Sequence, residues 1–272
     1  MKNYDELFFT DDFMFCKIMR DPEIAKGVVE SLLGIKVKKV DFLNSQFEIN
    51  ESLNHHGIRL DAYLEDSDRI FDIEMQTIIR KDEAMRMRYY QSMIDTEHLN
   101  KGESYNNLKE TYIIFLCMSD PFDKKKAVYD FVTKEKNGDL ILNDRTHKII
   151  YNADSFENAE NAQIRNFLNY LKNHSASDVL TKRIQTALNV SKKNIPWRSE
   201  YMLWRDQVRE WKDEAREEGL KEGMAKGKNE GAEEKLKENI LNLLLSNIIT
   251  PEQIADALKV PLEKVLEIQK QI

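Results

Sequence analysis

Cysteine is nearly absent from this 272-residue chain, with two in total, and there are only five prolines and nine glycines. Two thiols cannot build a disulfide framework. Cys16 and Cys117 each sit in an apolar run, Phe15-Cys16 and Leu116-Cys117-Met118, so they read as buried free thiols without metal-ligand spacing. No apolar run approaches the length needed to cross a bilayer, and the opening MKNYDELFFTDDF is too acidic for a signal peptide. The expectation is a cytoplasmic chain that does not engage a membrane. An excess of basic charge is missing too. With 41 Lys and Arg against 48 Asp and Glu the net charge is -7, which excludes a broad surface built to neutralise phosphates. Any such contact falls on local patches. What the chain does have is 41% hydrophobic and 33% charged residues, enough for a core and for a heavily charged helical portion.

The informative stretch is GIRLDAYLEDSDRIFDIEMQ, residues 57–76. Rough alternation over Ile58 to Leu64, a polar turn at EDSDR and a renewed two-residue period from Ile70 predict a hairpin. In its second strand Phe71, Ile73 and Met75 share one face and Asp72, Glu74 and Gln76 the other. Closing the turn around Asp66 to Asp68 brings Asp61 towards that polar face. Carboxylates converging on one point repel each other and resist ionisation unless a cation lies between them. Magnesium suits such a site, because it takes oxygen ligands, uses one or two protein carboxylates and leaves the remainder to water and phosphate.

An Asp on one strand followed by Glu-x-Lys on the next is the signature of the PD-(D/E)xK nuclease superfamily. Asp61 and Glu74-Met75-Gln76 resemble the branch in which Gln replaces Lys. The wording RLDAYLEDSDRIFDIEMQ resembles the Rpn-type recombination-promoting nucleases, also described as PD-(D/E)xK nuclease family transposases. TDDFMFCKIM before it and RMRYYQSMI, GESYNNLKETYIIFL and EEGLKEGMAKG after it extend that likeness over most of the chain. The resemblance implies an α/β fold, a restriction-endonuclease-like mixed central sheet flanked by helices, here followed by a helical C-terminal tail. It implies a Mg2+-dependent DNA endonuclease, with Mn2+ able to substitute, in which Asp61, Glu74 and the backbone carbonyl of Met75 hold the ion. Gln76 would orient water or contact phosphate, since an amide cannot accept a proton as a neutral lysine can. In the wider superfamily the first helix can add an acidic ligand, which makes Glu30 an accessory candidate, although a surface role is the simpler reading.

Of three basic clusters, Lys36, Lys38 and Lys39 and then Lys124 to Lys126 read as solvated faces. Arg80, Lys81, Arg86 and Arg88 follow the acidic strand directly and are the candidates for DNA contact. Arg86 and Tyr90, four apart on one helical face, could reach the scissile phosphate or support Glu74. His55 and His56 precede the hairpin and read as incidental.

Elsewhere, helices are predicted over Asp11 to Met19 and from Asp21-Pro22 to Gly34, with Val28, Val29, Leu32 and Leu33 facing the core. A strand is predicted over Val37 to Glu48. A helix over Asp82 to Leu99 is expected to pack through Met85, Met87, Met93, Ile94 and Leu99. Thr111 to Met118 reads as a central strand buried on both faces, beside the acidic strand. Shorter strands are expected at Val128 to Thr133, Leu140 to Leu142 and Lys148 to Tyr151, then helices to about Leu188. Residues 191–272 carry 15 basic and 16 acidic residues. Gly219, Gly223, Gly227 and Gly231 recur there every four residues, either as a close helix contact or as a flexible linker, because each glycine costs a helix about 1 kcal/mol. Thr250-Pro251-Glu252-Gln253 is a capping box with a first-turn proline, and Pro261 restarts a further helix. The expected organisation is a nuclease-like domain over 1–190, a charged, glycine-striped helical linker over 191–235 and a small helix-turn-helix-like helical module over 236–272. Homodimerisation through the C-terminal helices is the expected association. Two other functions fit the same sequence: a catalytically silent DNA-binding or regulatory member of the fold, and an oligomeric interaction scaffold.

Overall fold

The computed structural model describes residues 2–49 and 57–271. His55 and His56 lie outside the described residues. The chain divides into two compact units, residues 1–202 and 203–272.

The first unit opens with helix α1 (Asp12–Ile18) and helix α2 (Pro22–Leu33). Asp21 caps α2, accepting from the Glu23 and Ile24 amides at 2.9 and 3.2 Å, and Pro22 fills the first turn, where a missing N–H costs nothing. Gly34 ends the helix at φ 65°, a left-handed position that side chains avoid. Strand β1 (Phe42–Ile49) begins five residues later than the pattern suggested. It pairs antiparallel with β2 (Ile58–Glu65), which pairs antiparallel with β3 (Arg69–Gln76). The hairpin turn is closed by the Asp66 carboxylate, which accepts from the amides of Asp68 (3.1 Å) and Arg69 (2.8 Å).

Helix α3 (Glu83–His98) then leads to β4 (Glu110–Cys117), which runs parallel to β3 on one side and to β6 (Thr146–Asn152) on the other. Being interior and parallel, β4 is buried almost throughout, which is why its sequence is a continuous apolar run. Strand β5 (Val128–Phe131) pairs antiparallel with β6 and closes a mixed six-stranded order β1-β2-β3-β4-β6-β5. Helices α4 (Ala162–Asn173) and α5 (Val179–Lys192) follow, and α1 and α2 both pack against α5.

Two expectations are corrected. Leu140 to Leu142 form no strand: they are exposed, with one isolated bridge from Ile141 to Lys134, because no second strand is available to bury them. Met85 is 59% exposed, while Met87, Met93 and Ile94 carry the contact of α3 with the sheet.

Helix α6 (Ile195–Ser246) runs for 52 residues. Its first turns are fastened to the N-terminal segment by Arg198–Asp5, Lys17–Glu200 and the Tyr201 hydroxyl on the Lys2 carbonyl. Gly219 to Gly231 lie within it as ordinary helix, and a Cβ placed on any of the four would meet nothing within 4 Å. In the second unit α7 (Pro251–Leu258) starts at the expected capping box of Thr250 and Gln253, and α8 (Leu262–Gln269) follows Pro261. Ile254, Ala255, Val265 and Ile268 bury a small core with Ile240. No helix among the described residues is long and apolar enough to cross a membrane.

Candidate active site

The sheet forks at the acidic residues. Pairing of β2 with β3 ends at Ala62 and Ile73, whereas β2 stays paired with β1 as far as Ile58 and β3 stays paired with β4 as far as Gln76. Beyond the last rung the two strands are joined by their own side chains. The Asp61 amide donates to Glu74 Oε1 at 2.9 Å, and the Met75 amide donates to Asp61 Oδ2 at 3.2 Å. These reciprocal bonds satisfy backbone donors that the ladder no longer reaches. The N–H and C=O of one strand residue project to the same side, so the Met75 carbonyl faces the fork as its amide does.

A cavity of about 670 Å3 opens over the fork, lined among others by Asp12, Asp61, Glu74, Gln76, Arg80 and Arg86. Glu74 and Gln76 are buried at its base. From α3, Arg86 donates to Gln76 Oε1 (2.7 Å), to Glu74 Oε2 (3.3 Å) and to the Tyr90 hydroxyl (3.0 Å). Its guanidinium also lies over the rings of Tyr90 and Phe115, at 5.4 and 5.1 Å. Arg86 is therefore a fixed internal cation. Lys81 and Arg88 are exposed and do not line the cavity.

Burial and the neighbouring Asp12 push Asp61 up to about 7, against the pull of Arg59 and Arg86. Glu74 is held well above the usual carboxylate range by burial first, then by Asp61 and Asp72. The local negative charge exceeds what Arg59 and Arg86 offset. Carboxylate oxygens with one strand carbonyl form the donor set of a hard divalent cation, so the residues fit that ion.

Glu30 is not brought to this group. Its carboxylate accepts from the Val37 amide at 3.0 Å and lies in a separate cavity between α2, α4 and α5, since α2 packs away from the fork. The helix that does reach the fork is α1. Asp12, which the sequence reading passed over, has a carboxylate oxygen within 4.8 Å of both Asp61 and the Cys16 sulfur. Cys16 is a buried free thiol as expected, yet it does stand beside two ligand-type groups. The spacing Asp12-x-x-x-Cys16 on one helical face was the available signal. His147 pairs with Glu110 and His174 stacks on Phe8, and neither lines the cavity.

A forked mixed sheet flanked by helices, with acidic residues at the ends of the two forking strands, defines a restriction-endonuclease-like fold. The chain belongs to the PD-(D/E)XK nuclease family transposases, whose family profile matches residues 11–200. A nuclease-type function follows from that membership. None of the curated proteins and none of the solved structures compared with the chain matches it.

Proposed function

We propose that this protein is a metal-dependent DNA endonuclease that hydrolyses phosphodiester bonds at the fork, in the service of recombination or element mobility. One observation carries the reading: two carboxylates, Asp61 and Glu74, are interlocked across the fork and share a shortage of positive charge. Asp61, Glu74 and the Met75 carbonyl would hold Mg2+, or Mn2+ in its place. When bound, such an ion polarises a phosphodiester and makes a water acidic. The chain's own groups do the positioning. Gln76, its amide oxygen fixed by Arg86, turns its NH2 towards Glu74 at 3.5 Å and can instead give those protons to water or phosphate. Arg86 supplies a fixed positive charge beside the reacting phosphate, and Tyr90 keeps it in place. Arg80 at the rim, with Lys81 and Arg88 beyond it, offers phosphate contacts to the flanking DNA. A homodimer formed through the C-terminal helices would give two such sites, one for each strand of a duplex.

One observation favours a silent, DNA-binding member instead: both oxygens of Glu74 are already bonded within the protein, to the Asp61 amide, Gln76 and Arg86. Supercoiled plasmid incubated with the purified protein in Mg2+ or EDTA separates the two. Nicking that needs Mg2+ and disappears in Asp61→Ala and in Glu74→Ala is expected. Full nicking by either variant refutes the assignment, and binding without cleavage supports the silent reading.

A further inference from the structure

The fork cavity has a continuation that the proposed reaction does not use. A groove of about 450 Å3 shares Arg59, Arg80, Arg86 and Tyr90 with it and adds Asp82, Met85 and Tyr89. Asp82, Met85, Arg86, Tyr89 and Tyr90 stand at i, i+3, i+4, i+7 and i+8, so they form one stripe along α3 and its cap. Packing on the sheet uses a different stripe, carried by Met87 and Ile94. Helix α3 therefore turns a second, partly apolar face to the groove. The 59% exposure of Met85, which makes no sense for a core residue, follows from that placement.

Charge divides the continuous cavity in two. The fork end holds Asp12, Asp61 and Glu74, whereas the groove is lined by three arginines and a single acid, Asp82. Arg59 is 47% exposed and stands 3.9 Å from Asp12. Arg80 is exposed at the rim, and its backbone amide donates to the buried Glu83 carboxylate, which fixes where the side chain starts. A cation site for the ion thus passes directly into a groove suited to phosphate.

Phosphate alone does not account for the apolar part. Tyr90 is engaged within the protein, with the Arg86 guanidinium over its ring and Phe115 against it edge-on. Tyr89 and Met85, one turn apart, are the groups placed to receive a flat ring. Arginines beside an aromatic and a thioether are how strands with unpaired bases are held, and such stacking tolerates any sequence because every base has a π-face. A base inside a duplex reaches a groove like this only by leaving its stack and its pair, a cost that is absent in a strand already unpaired.

We propose that the groove receives an unpaired nucleobase of the DNA strand whose phosphate lies at the fork, stacked on Tyr89 and Met85 with adjoining phosphates on Arg59 and Arg80. The substrate is then DNA that is single-stranded or locally opened, and a duplex is cut where a strand has come unpaired. The proposal rests on the reading of the fork as a DNA site.

Fluorescence anisotropy on the full chain tests this, with Ca2+ in place of Mg2+ so that binding is read without cleavage. The probes are labelled oligothymidylate, an abasic strand of the same length and a matched duplex. Wild type should bind oligothymidylate about tenfold more tightly than either of the others. Tyr89→Ala should bring oligothymidylate and the abasic strand to equal affinity, and Tyr89→Trp should keep them apart. Tyr89 also packs on the core, so Met85→Asn, at an exposed position, serves as the second variant and should narrow the difference about threefold. Equal binding of the two strands by wild type overturns the proposal, as does an undiminished preference in folded Tyr89→Ala or, should that variant not fold, in Met85→Asn. Plasmid nicking in Mg2+ without any preference for bases removes the groove and leaves the endonuclease reading intact. A preference for bases without nicking does the reverse.

Discussion

Asp61→Asn should make the metal-free protein more stable, although it removes a ligand. In the folded chain Asp61 binds its proton up to about pH 7, whereas in the unfolded chain it ionises near its ordinary value of 3.8. Between those values the folded state holds the extra proton, so stability falls as pH rises and then stays level above pH 7. A difference of about three pH units corresponds to a ceiling of about 4 kcal/mol. Asp61 titrates together with Glu74 and Asp72, which spreads the effect, and roughly half that ceiling is the working figure. Asparagine keeps an oxygen for the Met75 amide and cannot ionise, so Asp61→Asn should gain about 2 kcal/mol at pH 8, or about 4–8 °C in Tm. The assay is thermal unfolding in EDTA from pH 4 to 8. The advantage should be full above pH 7 and vanish towards pH 4, and saturating Mg2+ should favour wild type alone. A variant no more stable than wild type at pH 8, or equally advantaged at pH 4, refutes the argument that burial beside Asp12 strains this carboxyl.

Gln76→Ala should slow cleavage by about a hundredfold with Mg2+ affinity little changed, because one oriented group and the anchor of Arg86 are lost; an equal loss of Mg2+ binding, read by titration calorimetry, would make Gln76 a ligand. A chain truncated after Met202 keeps the fork and the Asp5, Lys17 and Lys2 contacts of α6. It should still nick plasmid but sediment as a monomer where the full chain is a dimer, and its products should shift from linear plasmid to nicked circles; a monomeric full chain would refute dimerisation through the tail. Gly223→Ala and Gly227→Ala, where an added Cβ meets open space, should each stabilise α6 by about 1 kcal/mol, seen as a later loss of helical circular dichroism on heating.

Much of this was legible because the signals were local. The Asp66 turn, the Asp21 and Thr250 caps, the apolar run of β4 and the two-residue period of β3 each need only a few neighbouring residues to be recognised. Asp12 and Cys16 were not legible, because their nearness to Asp61 depends on where a short helix lands on the sheet some 50 residues away in sequence. Glu30 failed for the same reason in reverse: a suitable residue on a suitable helix that is spent on holding the Val37 amide. Leu140 to Leu142 have strand-like side chains but no partner, and pairing is a property of two segments.

The exchange of bonds at the fork also proofreads the hairpin. If β2 slipped by one residue against β3, Asp61 would turn to the other face, and two backbone amides that now find carboxylates would be buried without acceptors. The slipped pairing would lose its clasp and expose its error at once. The carboxylates that would hold the ion in the proposed function therefore also guard these two strands against misthreading, and a variant that keeps an oxygen at position 61 should fold true even if the proposed cleavage is lost.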